Sequence, residues 1–308
     1  MNKRTRQLLF VYLLAIVVYQ VLVFTNRPTP LILKAFDITR LKYWVIISIA
    51  EILVTIAWAI AFYGFTYLYY YALTIKSHAK DSKAINRLAT GVGILVFQLP
   101  ITGLVGQILG RIAAHNHGLV PASTITSHYV SMALPLIAFL FISYGARGLT
   151  EVVKQRPSQR ATHALAISFI IIGALYTFLV FKGVPHSLVN SSSNLANYYL
   201  PNWLLLFTLV MPYIYTWFIG LLAAYEIYLY AFKTPGIIYR RALKLLALGL
   251  GWTIAVSVLS QYITTLTKVR LLKINALLIL VYSLLILLAV GYLLVAWGAK
   301  KLQRIEEV

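Results

Sequence analysis

Long apolar segments alternate with short polar ones along the whole chain. Eight segments are long enough to cross a hydrocarbon core of about 30 Å, which takes about 20 helical residues. Their limits are 7–24, 42–75, 87–111, 125–149, 161–181, 203–232, 240–264 and 273–299. The second and sixth exceed a single crossing, so we expect those helices to tilt or to extend past the bilayer on one side. The pattern predicts an all-α integral membrane protein with about eight transmembrane helices.

Composition agrees with a lipid-embedded fold and removes several chemistries. Hydrophobic residues make up 61% of the 308 positions and charged residues 11%, whereas soluble domains carry about 25% charged residues. The chain has no cysteine, which excludes disulfides, thiolate metal ligands and cysteine nucleophiles. It contains no phosphate-binding loop, zinc-protease helix or serine nucleophile elbow. We therefore assign no catalytic residues and no metal ligands, and the sequence favours a non-enzyme without deciding the point. Whether four outer-side histidines bind a metal stays open, namely His115, His117, His128 and His186.

The charge distribution predicts how the chain lies in the membrane. Lys and Arg number 27 against 7 Asp and Glu, a formal net charge of +20. With a cytoplasmic N-terminus, most of the basic residues fall in cytoplasmic segments such as 76–87 and 233–244. We expect a multi-pass protein of the cell inner membrane with both termini in the cytoplasm. Its basic segments lie beside apolar spans, so they predict contact with anionic lipids at the cytoplasmic face rather than with nucleic acid.

Two remaining points follow from the same segments. The first apolar segment, 7–24, is followed by no small-residue cleavage site, so we interpret it as the first span rather than as a signal peptide. No segment outside the spans is long enough for a soluble output domain. Protein partners and homo-oligomerisation remain open from the sequence.

The two halves of the sequence resemble each other when the chain is compared with itself. At a spacing of 159 residues, Trp44, Trp58 and Tyr71 correspond to Trp203, Trp217 and Tyr230. The other spans follow in the same order, with Arg87 on Arg241 and Gly145 on Gly298. We therefore predict two tandem four-helix repeats, 1–159 and 160–308, within one membrane domain. An even number of spans per repeat relates them by a pseudo-two-fold axis along the membrane normal.

Small residues and aromatic residues within the spans have structural interpretations. Gly91, Gly145 and Gly249 lie in the apolar segments, where glycine lets helix backbones approach closely. Tyr19 is expected in an interfacial aromatic belt.

Four residues within the spans are candidates for an ion or solute pathway. Glu51 lies in the outer half of the second span, where a charge is costly, so it is a proton or cation site, or else protonated or hydrogen-bonded within the bundle. Glu226 lies toward the inner end of the sixth span. Trp58 and Trp217 lie about 21 Å from the outer end, too deep for an interfacial belt, and either pack between helices or line a cavity. The expected partners of Glu226 are basic, namely Lys233, Arg240, Arg241 or Lys244.

These residues favour a small-solute or ion transporter or channel. The alternative is a non-catalytic membrane sensor, assembly factor or complex subunit. A third hypothesis is a cofactor protein, because two fused four-helix bundles with cytoplasmic termini resemble the haem A synthases in outline. In that family histidines on facing helices of both halves hold the haem. Here His128 corresponds to Val281 and His163 to a position near Arg6, so no family and no cofactor is assigned.

Overall fold

The computed structural model describes residues 3–25, 39–75, 79–115, 134–149, 167, 202–234, 236–268 and 274–306. Seven helices lie within these ranges: α1 (Lys3–Thr25), α2 (Arg40–Thr74), α3 (Ala79–His115), α4 (Leu134–Leu149), α5 (Asn202–Lys233), α6 (Ile237–Lys268) and α7 (Ile274–Glu306). Each coincides with a predicted span. The remaining predicted span, 161–181, lies outside the described residues apart from position 167. The all-α fold is confirmed, and the eighth helix stays a prediction.

The helices have the length and the apolar surface that a membrane requires. Within the described residues, four segments are long and apolar enough to cross a bilayer: Lys3–Thr25, Arg40–Thr74, Ser82–Ile108 and Ser283–Arg304. Helix α1 exposes Phe10 and Val17 at 68% and 57%, which suits a helix facing lipid rather than water. Helix α2 has 35 residues and is about 52 Å long, so it exceeds the hydrocarbon core as predicted. The protein is a membrane-embedded helical bundle.

Six helices form a closed circuit of neighbours. Helix α2 packs on α3 and α7, α6 packs on α5 and α7, and α4 contacts both α3 and α5. Helix α1 lies outside this circuit, against α3 and α2. Buried side chains from all seven helices join one continuous core that includes Tyr12, Tyr71, Ile142, Leu246 and Tyr292. Lipid tails are as apolar as these side chains, so close packing and not exclusion from water holds such helices together.

Glycines bring α3 and α4 into close contact. A methyl group added at Gly91 would lie 2.6 Å from the carbonyl oxygen of Ala138, which is closer than real Cβ contacts. One added at Gly145 would lie 2.6 Å from Cγ of Leu88 and 2.8 Å from the carbonyl oxygen of Ala84. The prediction that these glycines serve close helix packing is confirmed.

Helices α6 and α7 meet in the same way. A methyl group at Gly249 would lie 2.6 Å from the backbone nitrogen of Val295, and one at Gly298 would lie 2.7 Å from that of Leu246. Trp252 adds a hydrogen bond from its indole Nε1 to the carbonyl oxygen of Leu287, at 2.8 Å. Both interfaces therefore use one glycine from each helix to reach the opposite backbone.

Two further interfaces connect the first four helices with the last three. Between α2 and α7, a methyl group at Gly64 would lie 2.5 Å from the carbonyl oxygen of Tyr292. Between α5 and α4, one at Gly220 would lie 3.5 Å from Cδ1 of Phe139. Tyr292 and Phe139 are both fully buried. The α2–α7 interface is thus a close approach of Gly64 to the Tyr292 backbone, whereas Gly220 makes an ordinary contact with Phe139 and its close contact, 2.6 Å, is with Ile254 on α6.

Candidate functional site

Glu51 lies on α2 at its contact with α1, with only 8% of its surface exposed. The Tyr19 hydroxyl donates a hydrogen bond to Oε1 of Glu51 at 3.2 Å, and Nε2 of Gln20 donates one to Oε2 at 3.0 Å. Both donors come from α1. Packing of α1 on α2 therefore creates the environment of this carboxyl group, and each of its oxygens has a neutral partner.

The Gln20 amide links Glu51 to Thr55. Its Nε2 also donates to Oγ1 of Thr55 at 2.9 Å, so both of its N–H groups are used. Thr55 follows Glu51 by four residues, which places the two side chains on the same face of α2. Oε1 of Gln20 is buried and has no hydrogen-bond partner among the described residues. The cluster thus contains one buried acceptor that is not used.

The aromatic rings of Tyr19 and Trp58 lie next to the Glu51 carboxylate site. The ring of Tyr19 lies 5.0 Å from that of Trp58, and Trp58 is 5% exposed. Gly103 on α3 leaves room for the Tyr19 ring, because a methyl group there would lie 2.8 Å from its Cε2. Tyr12 donates from its hydroxyl to the backbone oxygen of Trp58 at 3.0 Å. Trp58 therefore packs between helices next to the Glu51 site.

Glu51 has no basic partner among the side chains that the structure describes. Arg111 of α3, which reaches the same end of α1, is used elsewhere: its Nη2 donates to the carbonyl oxygen of Leu22 at 2.6 Å and to the Thr25 hydroxyl. These bonds satisfy acceptors at the end of α1, whose last carbonyl groups lack helical partners. Glu51 is hydrogen-bonded within the bundle, which the sequence analysis gave as one alternative to a proton or cation site, and its bonds among the described residues are to uncharged groups.

Glu226 has a different partner from the ones expected. Its Oε1 lies 3.6 Å from Nε of Arg147 on α4, where the two side chains are 23% and 12% exposed. The sequence prediction chose basic residues close to Glu226 along the chain and was wrong, because α4 packs beside α5 at this point. Of those four residues, Lys244 instead lies over the Phe232 ring, with Nζ 3.5 Å from its centroid. Glu226 forms an ion pair with Arg147 and is not part of the Glu51 cluster.

The structure brings together two of the four candidate residues, Glu51 and Trp58. Trp217 lies in α5, and its side chain is outside the described part of the structure. Sequence reasoning missed Gln20 and Thr55 and placed Tyr19 in an interfacial belt, whereas the Tyr19 hydroxyl binds Glu51. The spacing of four between Glu51 and Thr55 was the available signal. Nothing in the sequence gave the register of α1 on α2.

The described residues contain no cluster of potential metal ligands. No group of three His, Asp or Glu side chains there lies close enough to hold an ion. The side chains of His115, His117, His128 and His186 lie outside the described part. What the Glu51 cluster can do is take up and release a positive charge at a single carboxylate.

No protein-family model, curated protein or solved structure matches this chain. The functional argument therefore starts from the Glu51 cluster and from the membrane in which it lies.

Proposed function

We propose that this protein is an ion-coupled membrane transporter or channel in which Glu51 binds the transported or coupling cation, either a proton or a metal ion. The observation that carries the proposal is the burial of Glu51 in a span, where its partners among the described side chains are neutral. Moving an ionised carboxylate into a bilayer costs several kcal/mol, and intramembrane carboxylates accordingly mark ion and proton pathways. Binding a cation removes that cost, so the site is suited to changing its charge.

The comparison with Glu226 supports a specific role for Glu51. Glu226 is also in a helix of the bundle, but the guanidinium group of Arg147 permanently neutralises its carboxylate. Glu51 has no such partner among the described side chains, which distinguishes the two carboxylates. The two carboxylates thus form a natural pair of test and control positions.

We infer that the fold consists of two tandem four-helix repeats, 1–159 and 160–308. Support comes from corresponding contacts: Gly145 faces Ala84 and Leu88, and Gly298 faces Ala242 and Leu246. The residues of α4 and α7 in these contacts differ by 153, as the sequence comparison suggested. Those of α3 and α6 differ by 158, which is about one helical turn from the spacing of 154 that Arg87 and Arg241 suggested.

Burial follows the same correspondence. At 158 residues, three buried positions of α3 correspond to buried positions of α6: Ala84 with Ala242, Ile85 with Leu243, and Leu88 with Leu246. At 153 residues, three buried positions of α4 correspond to buried positions of α7: Phe139 with Tyr292, Ala146 with Ala299, and Leu149 with Leu302. A pseudo-two-fold axis along the membrane normal accounts for both series.

We also propose that both termini are cytoplasmic, in the cell inner membrane, and that this face binds anionic lipids. Exposed basic residues lie at the helix ends that this topology places inside, namely Lys83, Arg87, Lys233, Arg241, Lys301 and Arg304. Each basic residue near an anionic surface contributes about 1 kcal/mol. Because the chain has no cysteine, a single cysteine added near either terminus can be probed with a membrane-impermeant thiol reagent in oriented vesicles.

Transport is tested with the full-length protein in proteoliposomes that contain a pH-sensitive dye. A potassium diffusion potential drives proton entry, and gradients of Na⁺ and K⁺ are then imposed separately. We expect an ion flux above that of empty vesicles for at least one of the three ions. Glu51→Gln should abolish it, because the amide cannot bind a cation through a negative charge, while Glu226→Gln should keep it.

Two outcomes contradict the proposal. The first is equal flux in the wild type and in Glu51→Gln. The second is wild-type vesicles as tight as empty ones for all three ions, which would favour the alternative of a non-catalytic sensor, assembly factor or complex subunit.

A further inference from the structure

We propose that the ligand of the Glu51 site is a proton rather than a metal ion, and that the Gln20 amide exchanges its donor for its acceptor when the proton binds. The inference rests on the proposed function and narrows its ligand. It starts from the direction of the hydrogen bonds around Glu51.

The groups around the carboxylate have the wrong polarity for a metal ion. Tyr19 and Gln20 direct an O–H and an N–H at its two oxygens. A metal ion such as Ca²⁺ needs about six to eight oxygen ligands at about 2.3–2.6 Å. Here the donor hydrogens occupy positions from which such an ion would approach the carboxylate. A proton needs only one lone pair of one oxygen.

Proton binding on the side of Glu51 that faces Gln20 requires a change at Gln20. With Glu51 ionised, Nε2 of Gln20 donates to Oε2 of Glu51 and to Oγ1 of Thr55. When a proton from water binds Oε2, the carboxylate becomes a carboxylic acid and a new O–H bond forms at that oxygen. Where the proton takes the lone pair to which Gln20 donates, that O–H points at the N–H groups of Gln20, and two donors face each other.

Rotation of the Gln20 amide by about 180° resolves this conflict. The last torsion of a glutamine side chain has a broad, roughly two-fold profile, so both orientations are accessible. After the rotation, Oε1 accepts from Glu51 and from the Thr55 hydroxyl, which turns from acceptor to donor. Oε1 has no partner in the present orientation, so the rotation breaks no bond on that side, and it moves both N–H groups of Gln20 to the place that Oε1 held. The unused acceptor of Gln20 thereby acquires a role.

No other charged group competes for this proton in the described part of the structure. On α1, Tyr19 is the titratable residue that bonds to Glu51. On α3, Arg111 is directed at Leu22 and Thr25. On α2 itself, Thr55 and Trp58 lie at the site and do not titrate. The side chains that respond to protonation of Glu51 are therefore neutral, namely Gln20 and, through it, Thr55.

The test is infrared difference spectroscopy of the purified full-length protein, recorded as a function of pH with isotope-labelled glutamine. We expect a carboxylic acid C=O band that grows as the pH falls, together with a shift of a glutamine amide C=O band at the same midpoint. Both signals should be absent in Glu51→Gln and present in Glu226→Gln. Adding Na⁺, K⁺ or Ca²⁺ at fixed pH should leave the acid band unchanged.

Gln20→Leu provides a second way to assign the amide band to Gln20, and it does not require Glu51→Gln to fold. It keeps the carboxyl group and removes the amide, so the acid band should remain with a changed frequency and the amide shift should vanish. Thr55→Val is the matched variant: it keeps the side chains of Glu51 and Gln20 and removes only the Thr55 hydroxyl.

The outcomes separate this inference from the proposed function. Loss of the acid band on adding Na⁺, K⁺ or Ca²⁺ overturns the proton assignment, while transport by Glu51 can still stand. An acid band that titrates without any amide shift overturns the exchange at Gln20. Both signals present in vesicles that carry no flux leave this inference standing and remove the transport function.

Discussion

Arg147 on α4 and Glu226 on α5 form an ion pair across the boundary between the first and second halves of the chain, with Nε and Oε1 3.6 Å apart. Under the proposed tandem repeat, Lys300 and Tyr67 correspond to Arg147 and Glu226. Nζ of Lys300 lies 5.7 Å from the Tyr67 ring centroid. Both contacts join a basic residue at the end of one helix to a residue near the end of another. If the halves are repeats as proposed, equivalent positions hold an ion pair in one half and a cation–π contact in the other.

Removing one partner of the Arg147–Glu226 pair should destabilise the bundle. Arg147→Met leaves a carboxylate that is mostly buried without its cation. We expect a loss of about 1–3 kcal/mol in the free energy of unfolding, because complete burial would cost about 3–5 kcal/mol and Glu226 is 23% exposed. Adding Glu226→Leu to Arg147→Met should recover most of the loss. Denaturation in mixed micelles measures both, with Lys301→Met on the exposed surface as control; additive effects of the two changes would contradict the pairing.

The correspondence between the two boundary contacts can be tested by building the missing ion pair. Tyr67→Glu puts a carboxylate beside Lys300, in the role that Glu226 has beside Arg147. We expect a coupling energy of about 0.5–1 kcal/mol between the introduced carboxylate and Lys300, measured in a double-mutant cycle of Tyr67→Glu with Lys300→Met. A coupling near zero would argue against equivalent positions and hence against the tandem repeat.

The glycines at the two corresponding interfaces should respond alike to substitution. Gly145→Ala and Gly298→Ala each add a methyl group within 3.0 Å of the opposing helix, so we expect each to cost about 1–3 kcal/mol in the free energy of unfolding. Gly251→Ala is the control, since its added methyl group would meet Cβ of Ala224 at 3.4 Å, an ordinary contact. Loss at only one interface, or equal loss at Gly251, would sink the idea that both interfaces depend on the same close approach.

Anionic lipid should bind the ends of the bundle that the predicted topology places in the cytoplasm. Replacing Lys233 and Arg241 by Gln should weaken retention of phosphatidylglycerol in native mass spectra by roughly 30-fold, at about 1 kcal/mol per charge. Replacing Arg40 and Lys42 by Gln removes two exposed charges from the opposite end of the bundle and should change retention much less. Equal effects of the two variants would show that lipid binding is not confined to the predicted cytoplasmic end of the bundle.

The helices were predictable from the sequence because each span is a long apolar run, and membrane crossing depends mainly on that length. The glycine contacts at Gly91, Gly145 and Gly249 were also predictable, since small residues in spans have few other uses. The partner of Glu226 was not, because the sequence does not state that α4 lies beside α5. The sequence comparison aligned α3 with α6 on Arg87 and Arg241, which lie at the helix ends. The alignment proposed from the glycine contacts differs from it by about one helical turn.

Glu51 also shows which features the sequence predicts and which depend on how the helices pack. The cost of a charge in a bilayer identified it as a residue that needs a partner. The identity of those partners depends on how α1 is rotated and shifted on α2, and that depends on many weak contacts at once. Tyr19 and Gln20 therefore became visible as its partners only in the folded chain.

The central claim is that the Glu51 carboxylate carries an ion across the membrane or couples to one. Potential-driven proton flux into dye-loaded proteoliposomes, compared among wild type, Glu51→Gln and Glu51→Asp, tests it most directly. The account predicts no flux above background in Glu51→Gln and reduced but measurable flux in Glu51→Asp, which keeps the charge on a side chain shorter by one methylene. Undiminished proton flux in Glu51→Gln, or no ion flux in the wild type, would contradict it.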